Sequence, residues 1–204
     1  MNKGQIRAHF KALLNRSDCA DALADTFIDQ SISRIQRSIR IPSMERQQAY
    51  IVNSVSSIDS IILPSDFLEI IDIYFDNTSL SRVPMRTILE MRKNNDVGSP
   101  KFFAREQGSL VLYPRAADAT LYLNYYGQFT DLVSDGDSND LTNVASDAVT
   151  YGALAYASDY FIDERGALFE QKLSMFLSEL QQQANDAETS GTVQAIRPTT
   201  NYQD

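Results

Sequence analysis

The stretch Leu141–Glu188, LTNVASDAVTYGALAYASDYFIDERGALFEQKLSMFLSELQQQANDAE, contains two consecutive helical patterns. The first, at about residues 145–163, combines small residues with Tyr and Phe. Small side chains let a second helix approach closely, while the rings supply buried area. The second, at about residues 168–187, spaces its apolar residues by three, four and one, which is typical of an amphipathic helix. The stretch therefore predicts a helix pair.

Two further helical patterns open the chain. Residues 2–14 place apolar side chains on one face, and residues 19–39 carry a second apolar stripe. Pro42 follows, and the residue before a proline is biased away from helix. Helices are therefore predicted at both ends of the chain.

Between these ends the hydrophobic period shortens toward two, which favours strands. Short strands are predicted at residues 101–105, 110–113 and 120–126, and their spacing favours an antiparallel meander. Residues 67–75 (FLEIIDIYF) are predicted to form a helical turn that passes into a strand, and residues 84–93 a helix.

Together these patterns predict an α+β fold. The helix pairs of the two ends form a mainly α-helical bundle, residues 1–43 and 140–188, and a small antiparallel β-rich lobe, residues 44–139, is inserted between them. Residues 189–204 have no periodicity and are predicted to be a flexible C-terminal tail.

Charge is distributed unevenly along the 204 residues, whose formal net charge of −9 disfavours a general nucleic-acid coat. Residues 1–46 carry eight Lys and Arg against five Asp and Glu, whereas residues 131–188 carry two against twelve. Opposite charge at the two ends suits head-to-tail contacts between copies, and a solvated acidic face is the alternative interpretation.

Residues that could support catalysis are scarce. His9, the single histidine, would have to serve any Ser–His–Asp or Cys–His arrangement, and its place in a short helical pattern favours an ordinary helix residue. Cys19 is the single cysteine, which excludes an intrachain disulfide and fits a reducing compartment. Asp163 and Glu164 could support acid–base chemistry, but a solvated pair is favoured. The sequence predicts no enzyme and no cofactor.

The acidic segment DGDSND, residues 135–140, resembles the start of a calcium-binding loop. Asp135, Asp137 and Asn139 fill positions one, three and five, but Asp140 replaces the glycine at six and Ser146 the glutamate at twelve. A solvated loop is the favoured interpretation. One His and one Cys also leave too few ligands for a His/Cys zinc site, so no metal is predicted.

A nucleic-acid surface and a membrane span are both disfavoured. Tyr122, Tyr125 and Tyr126, with Arg105 and Arg115, could form a base-stacking platform, but alternating Tyr in a strand is typical of cross-strand packing. No apolar run approaches the ~20 residues that a membrane helix needs. No apolar signal core is seen at the N-terminus, so no secretory signal is expected.

Four stretches taken together resemble the adaptor (head-completion, head-to-tail connector) proteins of tailed bacteriophages. They are IDQSISRIQRSIRIPSME (28–45), ILPSDFLEIIDIYFDN (62–77), GSLVLYPRAADATLYLNYYG (108–127) and LTNVASDAVTYGALAYASDYFIDERGALFEQKLSMFLSEL (141–180). Each stretch alone is a weak signal, because it reflects structure and not chemistry. The order of the four stretches along the chain is the more specific signal. The likeness covers residues 6–180.

The resemblance implies a non-enzymatic structural virion protein, made in the host cytoplasm and located in the neck between capsid portal and tail. It implies a homo-oligomeric ring, usually of twelve copies, that binds the portal, extends the DNA channel and docks the tail tube or nozzle protein. Genomic DNA would pass without sequence-specific binding. The alternative is a non-enzymatic regulatory or nucleic-acid-binding module, with Arg34, Arg37 and Arg40 as phosphate contacts.

In such connectors the C-terminal segment commonly reaches the portal or a neighbouring copy. The tail here keeps scattered apolar residues among polar ones, which a purely solvating tail does not need. The residues predicted to dock are Val193, Ile196, Arg197, Pro198 and Tyr202.

Overall fold

The computed structural model describes residues 1–51, 58–94, 96–116 and 120–189. Its helices are α1 (Lys3–Leu14), α2 (Asp21–Ser38), α3 (Met85–Met91), α4 (Asp140–Val144), α5 (Ser146–Phe161) and α6 (Gly166–Thr189). Its strands are β1 (Glu45–Ile51), β2 (Ile58–Ile62), β3 (Phe67–Phe75), β4 (Thr78–Ser79), β5 (Ser81–Arg82), β6 (Val97–Gly98), β7 (Phe102–Glu106), β8 (Ser109–Ala116) and β9 (Thr120–Gly127). Short 3-10 turns cover Pro42–Met44 and Arg92–Asn94.

The chain forms two compact units. The β unit comprises Met1–Ile6 and Pro42–Val144, and the helical unit comprises Arg7–Ile41 and the chain from Ala145 onward. The α+β class predicted from the sequence is confirmed. The domain boundaries predicted from the sequence stay a prediction.

Two sheets enclose the core of the β unit. One has the order β1-β9-β3-β4, and the other has the order β2-β8-β7-β5 with β6 beside β8. Neighbouring strands are antiparallel except for the short pairs β5–β7 and β6–β8. Large side chains from both sheets fill the core, among them Ile73, Phe75, Phe103, Leu112, Leu121 and Leu123.

Strand β8 is buried on both of its faces. Leu110 and Leu112 belong to the core between the sheets, whereas Val111 and Tyr113 cluster with Ile88 of α3. Successive strand residues point to opposite faces, so a strand that is covered on both sides needs a continuous apolar run. This accounts for the unbroken LVLY sequence.

The predicted three-strand meander is wrong. β7 and β8 form an antiparallel hairpin, but β9 lies in the other sheet between β1 and β3. β9 pairs with β1 along its register from Thr120 to Tyr126 and with β3 on its other side, so both of its edges are occupied without β8. Only the first hairpin of the meander forms.

The predicted helical turn at the start of residues 67–75 is also wrong, because β3 is a strand from Phe67 to Phe75. Its register with β9 shifts between Phe67 and Glu69 and again between Ile70 and Asp72. Such irregularities interrupt the apolar alternation that marks a strand.

Close helix packing defines the helical unit, in which α5 contacts both α2 and α6. The small residues Ala148, Gly152, Ala153 and Ala157 of α5 are buried. The Ser31 hydroxyl on α2 donates to the Val149 carbonyl at 2.9 Å, and a Cβ on Gly152 would overlap that hydroxyl. The small residues therefore permit the close approach that the sequence predicts.

Candidate assembly surfaces

The tail residues predicted to dock lie outside the described residues. They are Val193, Ile196, Arg197, Pro198 and Tyr202. Their docking role stays a prediction, and the surfaces described below come from the rest of the chain.

The residues considered for catalysis do not come together. His9 is exposed on α1, and Cys19 is buried, with the burial raising the pKa of its thiol. A protonated thiol is a poor nucleophile. Across the described ranges, no three His, Cys, Asp or Glu side chains form a group suited to a metal ion. No helix in the described part of the chain has the length and apolar character of a bilayer span.

The acidic loop, defined here as residues 131–140, holds the start of α1. The backbone N–H groups of Lys3 and Gly4 donate to the carbonyls of Asp137 and Asp135, both at 2.9 Å. Lys3 is buried, and its ammonium group donates to the Leu132 carbonyl at 2.8 Å. Because the first N–H groups of a helix lack partners within the helix, the loop caps α1 through its backbone.

Side chains that resembled calcium ligands serve the acidic loop itself. The Asp137 carboxylate accepts the N–H groups of Val133 at 2.9 Å and Ser134 at 2.7 Å. Asn139 accepts the Thr142 N–H at 2.9 Å. These bonds fix the conformation of the loop and leave the Val133 side chain 83% exposed.

A cavity of about 380 Å³ opens on the β unit and is called here the Arg82–Arg105 pocket. Phe67, Phe103 and Leu110 supply apolar walls, and Arg82 and Arg105 supply positive charge. The Arg105 guanidinium carbon lies 5.5 Å from the centre of the Phe67 ring, within cation–π range. Within the described residues, neither guanidinium makes a hydrogen bond or an ion pair. The pocket can therefore accept a carboxylate beside an apolar group.

The tyrosines of the possible base-stacking platform do not form one surface with its arginines. Tyr125 is buried, its ring stacks on Phe67 at 5.7 Å, and its hydroxyl donates to Asp66 at 3.0 Å. Burial, together with the carboxylate of Asp66, raises the pKa of Tyr125 to about 12. Arg105 belongs to the sheet that does not contain Tyr125. The packing interpretation of these tyrosines is therefore the better one.

The arginines considered as phosphate contacts have partners inside the helical unit. Arg34 forms a two-bond ion pair with Glu170, at 2.7 and 2.8 Å. This pairing raises the pKa of Arg34 and lowers the pKa of Glu170. Arg37 donates to the Ser33 carbonyl at 3.1 Å, and Arg40 donates to the Gln36 carbonyl at 3.0 Å. The three side chains stabilise helix packing and helix ends.

The turn between α5 and α6 contains a second charged arrangement. Arg165 binds the Asp163 carboxylate, with the shortest bond at 2.6 Å, and donates to the carbonyls of Leu13 and Leu14 at 3.2 and 3.1 Å. Those carbonyls end α1 and lack partners within the helix. The Arg165 side chain and N–H lower the pKa of Asp163 to about 2.

Sequence reasoning missed the Arg82–Arg105 pocket and the exposed side chain of Val133. The pocket combines residues 67–110, and no local pattern places them together. Val133 carried a usable signal, since an apolar residue within an acidic loop has no solvation role.

Comparison with known proteins bears on the identity of the chain. No curated protein matches the chain at a significant level. A family model described as SU10 adaptor protein matches residues 1–197, which span the β unit and most of the helical unit. This is a phage head–tail adaptor family, and membership implies a structural component of the virion neck that associates with portal and tail components. The resemblance seen in the sequence is thereby confirmed, and the chain belongs to the SU10 adaptor protein family.

Proposed function

We propose that the protein assembles as a ring of twelve copies below the portal, extends the DNA channel and docks the tail tube or nozzle protein. The family match over residues 1–197 is the observation that carries this proposal. The protein is made in the host cytoplasm and acts without catalysis. It lets genomic DNA pass without reading its sequence.

Charge supports this function. A net charge of −9 gives the protein little general attraction for phosphates, and a strongly attractive channel wall would hold DNA instead of letting it pass. The positive balance of residues 1–46 and the negative balance of residues 131–188 favour contacts between unlike surfaces of neighbouring copies. Such head-to-tail contacts generate rings when the rotation closes.

The tail, residues 189–204, is proposed to bind the portal or a neighbouring copy. Sixteen residues reach roughly 50–58 Å when extended, at ~3.3–3.6 Å each. Val193 and Ile196 would fill shallow pockets, while Arg197 would pair with an acidic group. Pro198 restricts the free conformations and so reduces the entropy lost on binding.

The proposed function is tested by mixing the purified protein with isolated portal rings of the same phage and imaging the product by electron microscopy. We expect a ring of extra density on one face of the portal, with the symmetry counted directly. A protein that stays unbound at high concentration contradicts the ring. Tight binding to duplex DNA with a steep salt dependence would favour the nucleic-acid module instead.

A truncation tests the tail separately. Deleting residues 189–204 is expected to leave the circular dichroism spectrum nearly unchanged and to weaken ring formation on the portal. The full-length double variant Val193→Ser/Ile196→Ser keeps the tail length and removes two of its apolar groups, so it should also weaken ring formation on the portal. Normal assembly of both variants would remove the tail from the proposal.

A further inference from the structure

Val133 is the most exposed large hydrophobic residue of the described part of the β unit, with 83% of its surface exposed. Its neighbour Leu132 is buried and anchors the acidic loop. Asp131 is exposed, and its side chain makes no hydrogen bond or ion pair with a described residue. An apolar side chain beside an unpaired carboxylate is therefore presented to solvent.

The loop presents Val133 in a fixed conformation. The Val133 N–H donates to the Asp137 carboxylate at 2.9 Å, and the carbonyl just before Val133, on Leu132, accepts from the buried Lys3 ammonium at 2.8 Å. The Asp137 carbonyl in turn accepts the Lys3 N–H at 2.9 Å. Because the backbone on both sides is held, little conformational entropy would be lost when Val133 binds a partner.

The Arg82–Arg105 pocket has the complementary chemistry. Its apolar walls suit an aliphatic side chain, and its volume of about 380 Å³ also admits part of the adjoining backbone. Arg82 and Arg105 face solvent without an ion-pair partner among the described residues, and Glu69 also lines the pocket, which leaves one net positive charge.

We propose that Val133 of one copy inserts into the Arg82–Arg105 pocket of the next copy, with Asp131 pairing with an arginine of that pocket. This inference rests on the proposed ring, and it names a contact within it. Because the loop and the pocket are different surfaces, each copy can offer its loop to one neighbour and its pocket to another, which is the head-to-tail contact that a ring requires. Burial of Val133 would supply affinity, and the charge pair would set the register.

Disulfide trapping tests the contact directly. Val133→Cys and Leu68→Cys, where Leu68 lines the pocket, are made in separate copies. In a head-to-tail contact the mixture should form a disulfide-linked dimer under mild oxidation, and each variant alone should form far less. The native Cys19 is buried, so the wild type sets the baseline. Equal crosslinking in a mixture of Ile51→Cys and Leu68→Cys would overturn the proposal.

Ile51 is a matched control because it is 74% exposed. It lies in the sheet that contains Phe67, at the end away from the pocket. β1 pairs Ile51 with Thr120, whereas Phe67 at the pocket pairs with Gly127 at the other end of β9.

Assembly on portal rings gives the second test. Val133→Asn, which removes the apolar group without adding a charge, should raise the concentration needed for half-assembly by about tenfold or more, as should Arg82→Glu/Arg105→Glu, while Ile51→Asn should not. When the loop variant and the pocket variant are mixed, the intact loop of one can still bind the intact pocket of the other. The mixture should therefore form pairs, and these pairs should not grow into rings because their remaining loop and pocket are both disabled. Normal rings from Val133→Asn would overturn this inference and leave the proposed function standing. Failure of the wild type to assemble on the portal would instead refute the proposed function, and the disulfide test would still decide the contact.

Discussion

The α5 interface of the helical unit and the core of the β unit are built from buried side chains of different size. In the helical unit, α5 presents buried small residues such as Ala148 and Gly152 to its neighbours. In the β unit, large side chains such as Phe75 and Leu121 fill the space between two sheets. A core of small residues has no room for added atoms, while a core of large residues loses contacts when atoms are removed. Added atoms should therefore be the damaging change at the α5 interface, and removed atoms the damaging change in the core of the β unit.

Removal of a large side chain from the β unit should have the largest effect. Phe75 is 2% exposed, and Phe75→Ala is expected to lower the free energy of unfolding by about 3–5 kcal/mol, because it leaves a cavity between the sheets. Urea denaturation followed by circular dichroism measures the loss. Ile51→Ala on the same sheet is the control, and it should change stability by less than about 0.5 kcal/mol because Ile51 is exposed.

Addition of a single methyl group should be the damaging change in the helical unit. A Cβ on Gly152 would overlap the Ser31 hydroxyl and lie 3.1 Å from the Ser31 Cβ. Rotating the hydroxyl away would break its bond to the Val149 carbonyl. We expect Gly152→Ala to cost about 1–2 kcal/mol despite the better helix propensity of Ala.

A glycine in the β unit provides the matched control. A Cβ added to Gly108 would meet no described atom within 4 Å, so Gly108→Ala should be nearly neutral. Adding Ser31→Ala to Gly152→Ala should recover part of the loss, since the overlapping hydroxyl is removed. Equal effects of Gly152→Ala and Gly108→Ala would mean that the close contact between Gly152 and Ser31 does not cause the loss of stability.

A smaller effect is expected from the buried tyrosine of the β unit. Tyr125→Phe removes the hydrogen bond to Asp66 and should cost about 1 kcal/mol at neutral pH. Because the pKa of Tyr125 is raised to about 12, its neutral form stabilises the fold below about pH 10, and this contribution is lost as the pH rises through about 12.

Stability measured between about pH 10 and about pH 12 separates this contribution from the others. The wild type should lose stability there faster than Tyr125→Phe. Tyr122→Phe, on a ring that stacks on Tyr74 at 5.1 Å, is the control and should follow the wild type. A parallel decline for all three proteins would mean that Tyr125 ionisation does not contribute.

The sequence predicted the helical unit better than the β unit for a physical reason. Helix periodicity is local, so α1, α2, α5 and α6 could be recognised from their own residues. Strand pairing is not local: β9 prefers β1 and β3, which lie far away in the chain, to the adjacent β8. The shifts within β3 further hid its alternation.

The same distinction holds for the candidate surfaces. The tail is predicted from missing local periodicity and stays a prediction, whereas the pocket joins Phe67 to Arg105 through the two-sheet topology. The sequence indicated Arg105 only as a member of a possible base-stacking platform, and not as a pocket residue. Identification of such a site from sequence needs the pairing order of the strands.

The smallest expected effect comes from an ion pair of the helical unit. Asp163 accepts hydrogen bonds from the Arg165 side chain and N–H, and these lower the pKa of Asp163 to about 2. The charged carboxylate therefore stabilises the fold above about pH 4, and this contribution is lost as the pH falls toward about 2. Since the Arg165 side chain is 45% exposed, solvent screens the pair, and Asp163→Asn should cost only about 0.5–1 kcal/mol at neutral pH.

Urea denaturation repeated at decreasing pH separates the contribution of this ion pair from the effect of losing a polar side chain. The difference between Asp163→Asn and the wild type should shrink between about pH 4 and about pH 2, because the wild-type carboxylate becomes neutral there. Asp159→Asn, at an exposed carboxylate of α5, is the control and should show no such convergence. A constant difference over this range would mean that the charge of Asp163 is not the cause of the difference. In that case the Arg165 bonds to the Leu13 and Leu14 carbonyls would hold the turn against α1 without the carboxylate.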